Sequence, residues 1–207
     1  MKVCNRCIIN STVPSFVKYK DGCSFCIPFG EKLEKNKSFS KNSSGLKLLL
    51  DKIKTNSKNK KYDCIVGLSG GVDSAWALMK AKEIGLNPLA VHMDNGWNSE
   101  LAQNNIQVIL ENLKVDLHTY VIDWEEYKNL MEAFFYADVI DIELLMDNAM
   151  LATNYFMANK LGLKMILTGS NSATEGIRMP PGWIWHKFDK KNIIAINGGK
   201  QRHISCF

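Results

Sequence analysis

The sequence predicts an α/β protein: a doubly wound parallel sheet with a small zinc-ribbon-like module at its N-terminus. Three observations predict it. From Tyr62 onward, short apolar runs alternate with helix-length segments, the pattern of βαβ units. The first of these runs, CIVGLS (64–69), stops at two glycines and then opens a helix, a strand-to-helix turn built of small residues. Four of the six cysteines lie in the first 26 residues, as two Cys-x-x-Cys pairs.

The elements follow in order. CIVGLS reads as a buried strand, and residues 73–84 as a helix ended by Gly85. PLAVHMD (88–94) is a second strand, followed by a helix over 100–113. LHTYVID (117–123) is a third strand. Helices over 124–136 and 142–161 come next, the latter apolar on more than one face and so predicted to be buried. KMILTG (164–169) is the fourth strand. Ahead of the sheet, residues 1–30 form the cysteine module. Residues 31–61 form a lysine-rich linker with one short amphipathic helix, GLKLLLDKIK. Residues 62–197 form the sheet domain, and 198–207 an unpatterned tail.

Charge is unevenly spread. Residues 1–62 carry 14 Lys/Arg against 4 Asp/Glu, and residues 63–207 carry 12 against 17. A basic head suits an anionic partner, but much of the excess sits in polar stretches such as KTNSKNKK, so a solubilising linker is the favoured reading over a nucleic-acid site. No apolar run approaches the length of a membrane span, and no apolar segment follows MKVCNRCIIN, so a cytoplasmic protein is expected.

The turn SGGVDS (69–74) has a chemical rationale. Ligands of open parallel sheets bind at the carboxyl ends of the strands, where helix N-termini offer free N–H groups to phosphate. Gly70 and Gly71 let the backbone approach an anion, and Ser69 and Ser74 add hydroxyls. Asp73 fits beside a phosphate only if a divalent cation lies between them. Neither the ordinary P-loop nor a dinucleotide fingerprint is present. For Asp94, in Asp-Asn-Gly, simple turn chemistry and contact with a ribose are equally open.

Cys4, Cys7, Cys23 and Cys26, with 15 residues between the pairs, read as a closed tetrahedral zinc site. So short a module buries little core, and the metal is expected to supply much of its folding energy. Cys64 reads as a small buried hydrophobe.

SGGVDS after a strand resembles the PP-loop of the ATP pyrophosphatase superfamily. That resemblance implies ATP and Mg²⁺, with Ser69, Gly70, Gly71, Val72 and Ser74 around the pyrophosphate. It places His92 and Asp94 where superfamily members recognise adenosine. LTGSNSATEG (167–176) resembles the T-G-x-N-x-x-E stretch of ammonia-using NAD synthetases. That adds Thr168 and Gly169 to the site, and Glu175 beside Asp73 as the catalytic carboxylates that hold magnesium. No cysteine lies between Cys64 and Cys206, so the sheet domain lacks a sulfur relay, and Lys2 stands where a fused glutaminase needs cysteine.

Together, M-K-x-C-x-R-C, the second Cys-x-x-Cys, the lysine-rich linker, YDCIVGLSGGVDS, AVHMDNGWNS and TGSNSATEG resemble the N-acetyl sugar amidotransferases of bacterial surface-polysaccharide (lipopolysaccharide O-antigen or nonulosonic acid) biosynthesis. The resemblance implies adenylation of a sugar acetamido oxygen, attack by ammonia from a separate glutaminase, and zinc in the N-terminal module. Arg178, Trp183, Trp185, His186 and Lys187 either cradle a sugar nucleotide or simply pack a loop. Members of that family continue past residue 207, so a truncated product is expected. Two other readings stand beside this one: a PP-loop enzyme that modifies tRNA, and an ATP-binding remnant.

Overall fold

The computed structural model describes residues 1–40, 43–171, 175, 180 and 186–198. They fall into two compact units, one of residues 1–50 and 170–186, the other of residues 51–169 and 187 onward. Arg178, Trp183, Trp185 and Cys206 lie outside the described residues.

In the first unit, β1 (Lys18–Tyr19) and β2 (Gly22–Cys23) pair as a short antiparallel hairpin. A bridge between Val3 and Asn10 closes the loop that carries the first cysteine pair, with the Cys4 N–H donated to the Ile9 carbonyl at 2.9 Å. Helix α1 (Cys26–Ser40) starts at the fourth cysteine, and α2 (Ser43–Asn56) follows, its residues from Asp51 on counted with the second unit. The stretch read as a linker with one short helix is therefore helical over most of its length. Lys, Glu and Leu are good helix formers without an apolar stripe, so periodicity does not reveal α1.

The second unit holds β3 (Cys64–Gly67), α3 (Val72–Glu83), β4 (Pro88–Asp94), α4 (Glu100–Leu113), β5 (Leu117–Val121), α5 (Trp124–Tyr136), α6 (Leu144–Lys160), β6 (Ile166–Leu167) and α7 (Lys190–Ile196). Its four strands are all parallel, in the order β5-β4-β3-β6. Cys64, Ile65 and Val66 are fully buried, as are the first six residues of β4 to within a few per cent, because helices cover both faces. The chain steps from β3 outward through β4 to β5, then returns through α5 and α6 to β6 on the other side of β3. Right-handed crossovers in opposite directions put α3 and α4 on one face and α5 and α6 on the other. The resulting switch point lies between β3 and β6, and a crevice opens there at the carboxyl ends.

Packing is densest under α5 and α6. Leu130, Phe134, Leu145 and Ala149 are buried with Met93, Ile122 and Ile193 in one cluster. Ile65, Leu89, Val91, Met157, Ala158 and Leu163 form another. Helix α6 is not buried all round: Leu145, Ala149, Thr153 and Met157 face inward, while Tyr155 and Phe156 are exposed. The fourth strand is shorter than its apolar run, because ladder pairing reaches only Ile166 and Leu167.

Candidate functional site

The β3–α3 turn is braced from within. Ser74, buried on the first turn of α3, donates its hydroxyl to the Gly71 carbonyl at 3.0 Å and accepts the Ser69 N–H at 3.2 Å. Its oxygen also lies 3.1 Å from Ser69 Oγ. The Ser74 hydroxyl thus shapes the loop, and Ser69, which is exposed, is the serine that faces solvent.

Gly70 has φ +83°, and a Cβ there would lie 2.7 Å from the Ala102 carbonyl oxygen at the start of α4. Backbone handedness and space therefore both require glycine. Gly71 is the N-cap of α3, and no side chain caps this end. The N–H groups of its first turn consequently remain available to an anion, with the positive end of the helix dipole behind them. Asp73, in that turn, is exposed, and among the described residues its carboxylate has no hydrogen-bond or ion-pair partner. Val72 is exposed beside it.

The loop after β6 closes the other side of the crevice. A Cβ on Gly169 would sit 2.7 Å from the Asp73 carbonyl carbon and 2.8 Å from the Ser74 nitrogen, so this loop lies directly on the first turn of α3. Thr168 precedes it and is exposed. The structure thus brings Gly169 against Asp73 and Ser74 of the β3–α3 turn. Gly169→Ala is expected to destabilise the protein by about 1–3 kcal/mol, since backbone rather than a movable side chain blocks the methyl group. Gly71→Ala, whose Cβ meets only Ser69 Oγ at 3.4 Å, should cost far less. Denaturant midpoints of the two variants check this contrast.

The end of β4 is held by its own turn. His92 is buried, with Nδ1 2.8 Å from the Leu68 carbonyl oxygen and Nε2 3.1 Å from the Asn98 amide. A proton on Nδ1 satisfies both contacts, so each ring nitrogen is already engaged. Asp94 Oδ1 accepts the Gly96 N–H at 2.9 Å, the turn chemistry open to it from sequence. Glu175 belongs to the first unit, where its backbone and carboxylate close a short loop with Asn171: Glu175 N–H to Asn171 O at 2.8 Å, and Asn171 N–H to Glu175 Oε2 at 3.3 Å. Lys187 forms ion pairs with Asp147 at 2.7 Å and Asp141 at 3.2 Å, which raise its pKa. His186 is exposed.

Sequence reasoning missed two amides, one buried and one half-buried. Asn95 is 4% exposed and holds the turn after β4. Asn154 packs beneath Gly67, and its Oδ1 is buried without a partner among the described residues. Asn95 lies in Asp-Asn-Gly, which marks a turn but not its burial, and nothing around Asn154 marks it.

The four N-terminal cysteines converge, with all four sulfurs within 4.8 Å of one another. Sγ separations are 3.8 Å for Cys4–Cys26, 3.6 Å for Cys7–Cys23 and 3.7 Å for Cys23–Cys26. These are far too long for disulfides. They fit a tetrahedron of sulfurs around an ion at the zinc–thiolate distance, whose edges are about 3.8 Å. Burial opposes ionisation of Cys4, but N–H donors from Arg6 and Cys7 outweigh it and bring that thiol down to about 6. Burial pushes Cys7 up to about 12 and raises Cys26. A divalent cation resolves this competition by ionising all four. Cys64 is a different case: deep burial, with Asp63 next to it, pushes its thiol up to about 12.

The sequence profile of the family described as NAD synthase matches residues 45–176, from α2 through the whole sheet to Glu175. The chain belongs to the NAD synthase family. SGGVDS is thus the PP-loop of an NAD synthase-like α/β fold, and TGSNSATEG closes the matched region. A curated relative, the uncharacterised protein MJ1599 of Methanocaldococcus jannaschii, is 31% identical over 130 residues, which are 62% of this chain and 45% of that protein. The chain therefore spans less than half the length of this relative.

Three solved structures resemble parts of the chain. The NMN synthetase of Francisella tularensis is 19% identical over 58% of this chain and 52% of its own, with a TM-score of 0.45. The glutamine-dependent NAD+ synthetase of Acinetobacter baumannii, solved with ADP, is 22% identical over 59% and 24%, with a TM-score of 0.48. The NH3-dependent NAD synthetase of Campylobacter jejuni is 18% identical over 74% and 70%, with a TM-score of 0.44. Among the described residues, no helix is long and apolar enough to cross a membrane.

Proposed function

We propose that this member of the NAD synthase family is an ATP-dependent amidotransferase acting on an N-acetylated sugar or nucleotide sugar. The acetamido oxygen attacks the α-phosphorus of ATP and pyrophosphate leaves. Ammonia then adds to the activated carbon and AMP departs with the oxygen, leaving an acetamidino group. The observation that carries the reading is the anion cradle at the switch point, with uncapped N–H groups at the start of α3, the Ser69 hydroxyl and the close-packed Gly169 loop. Asp73 would hold Mg²⁺, and that ion would neutralise charge on the departing pyrophosphate.

The state of the thiols supports ammonia as nucleophile. Cys64 is buried and kept protonated, and the other four cysteines among the described residues are grouped as metal ligands. None of them is placed to carry sulfur or to hydrolyse glutamine. Ammonia is therefore assigned to a separate glutaminase, and zinc to Cys4, Cys7, Cys23 and Cys26 as a structural ion.

The test is an assay with ATP, Mg²⁺, a panel of acetamido sugars and their nucleotide derivatives, and either labelled ammonium or labelled glutamine. Ammonium should give AMP and a sugar in which NH replaces oxygen, and glutamine alone should give neither. ADP in place of AMP, or label arriving from glutamine without a partner, would overturn the proposal.

A further inference from the structure

The turns that follow β4 and β5 present two tryptophans side by side. Trp97 and Trp124 have ring centroids 6.1 Å apart at an interplanar angle of 46°, and Trp124 leans on Tyr127 at 6.2 Å. Tyr127 is 5% exposed, whereas Trp97 is 64% exposed and Trp124 44%. The pairing of Asp94 with Val121 fixes these turns as neighbours at the carboxyl edge of the sheet, where ligands of such folds bind.

The arrangement is held rigidly for something so open to water. Asn95, buried to all but 4%, accepts the Trp97 backbone N–H on Oδ1 at 3.0 Å and directs its Nδ2 at Met146 Sδ at 2.9 Å. Asp123 caps α5 by accepting the Glu126 N–H at 3.0 Å, which fixes Trp124 at the first helical position. Buried amides normally support buried structure. Here one secures the backbone of a turn whose indole stands in solvent, where its apolar face gains nothing from folding.

We propose that Trp97 and Trp124 form the platform on which the acceptor's pyranose ring rests. This rests on the acceptor being an acetamido sugar, as proposed above. Three features select a sugar ring. The aromatic faces are electron-rich and take the polarised C–H groups of a pyranose. The tilt between the indoles leaves no parallel slot for a flat base, but accommodates a puckered ring against one face. Residues 92–100 and 121–127 contain no Lys or Arg, and they do contain Asp94, Glu100, Asp123, Glu125 and Glu126. Such a surface is rich in acceptors for hydroxyl groups and repels the phosphates of a nucleotide. The platform therefore reads the sugar, and the diphosphate of a nucleotide sugar lies away from it.

Saturation-transfer NMR on the full chain tests this, with N-acetylglucosamine, UDP-N-acetylglucosamine and ATP as separate probes. The pyranose C–H protons should show the strongest transfer. Trp97→Ala should weaken sugar binding about tenfold or more, as expected for loss of a stacking face, and Trp97→Phe should restore most of it. ATP binding should be the same in all three proteins. Loss of adenine rather than pyranose transfer in Trp97→Ala would make this an adenosine site and overturn the inference. So would sugar binding unchanged in both Trp97→Ala and Trp124→Ala, an outcome that leaves the amidotransferase reading standing. If the wild-type chain binds no acetamido sugar while binding ATP, the acceptor class is wrong and both proposals fall.

Discussion

Cys4→Ser, or removal of zinc by a chelator, is expected to unfold the N-terminal module while leaving the parallel sheet folded. The module has little else to hold it. Its buried apolar cluster consists of Cys4, Cys23 and Cys26, with Cys7, Phe16 and Phe25 packed partly against them, and its strands are two residues long. The sheet has two separate apolar clusters of its own. Zinc bound by four thiolates supplies about 10–16 kcal/mol in modules of this type, more than the stability of a typical domain. Elemental analysis should find close to one zinc per chain, released with loss of amide protection over residues 1–30. A chain that contains no zinc, or a Cys4→Ser variant in which those amides stay protected, would refute the assignment. Because the site is closed, with no open position for substrate, the effect should fall on stability and not on chemistry.

The convergence of the four cysteines was legible because two Cys-x-x-Cys pairs at this distance are a spacing that few demands other than metal ligation impose. The sheet was legible for a related reason, since several of its ends carry their own signals. Pro88 opens β4, Ser99 caps α4 through the Ala102 N–H, and Asp123 caps α5 through the Glu126 N–H. Those helices begin where the sequence places them. By contrast, α1 and α7 went unread. Cys26–Ser40 has Lys and Glu on every side, and Lys190–Ile196 is only two turns long, so neither shows a period to detect.

The site divides in the same way. The glycines and serines of SGGVDS are visible because a tight strand-to-helix turn with Gly70 at positive φ restricts its residues. The division of labour between Ser69 and Ser74 was not visible, because it depends on which hydroxyl the fold buries. His92 and Asn154 meet partners far along the chain, at Leu68 and Gly67, as does the Asn95 amide at Met146, and local sequence cannot show such contacts. The tryptophan platform is a further case. Trp97 and Trp124 are 27 positions apart and become neighbours only through the β4–β5 register.

Asp73→Asn should reduce AMP formation on the order of a hundredfold or more while leaving the fold intact. Charge decides the outcome. Asp73 sits in the first turn of α3, where the helix dipole favours an anion, and a carboxylate alone would be well placed there. The same turn, with Gly70, Gly71 and the Gly169 loop around it, is shaped to receive phosphate. Two anions at one helix end repel unless a divalent cation bridges them. If Asp73 served only the helix, asparagine, itself a good residue near a helix start, would change the rate little. If it holds magnesium, the neutral amide loses the ion and with it the charge compensation of the leaving pyrophosphate. Titration of the rate with Mg²⁺ separates these cases. The variant should need far more magnesium, or fail to saturate, with its thermal midpoint near that of the wild type. Asp73→Glu should recover part of the activity, since the carboxylate is kept and only its reach changes. An asparagine variant that releases AMP at close to the wild-type rate, at the same magnesium concentration, would remove Asp73 from the chemistry and leave the cradle to bind phosphate without a metal.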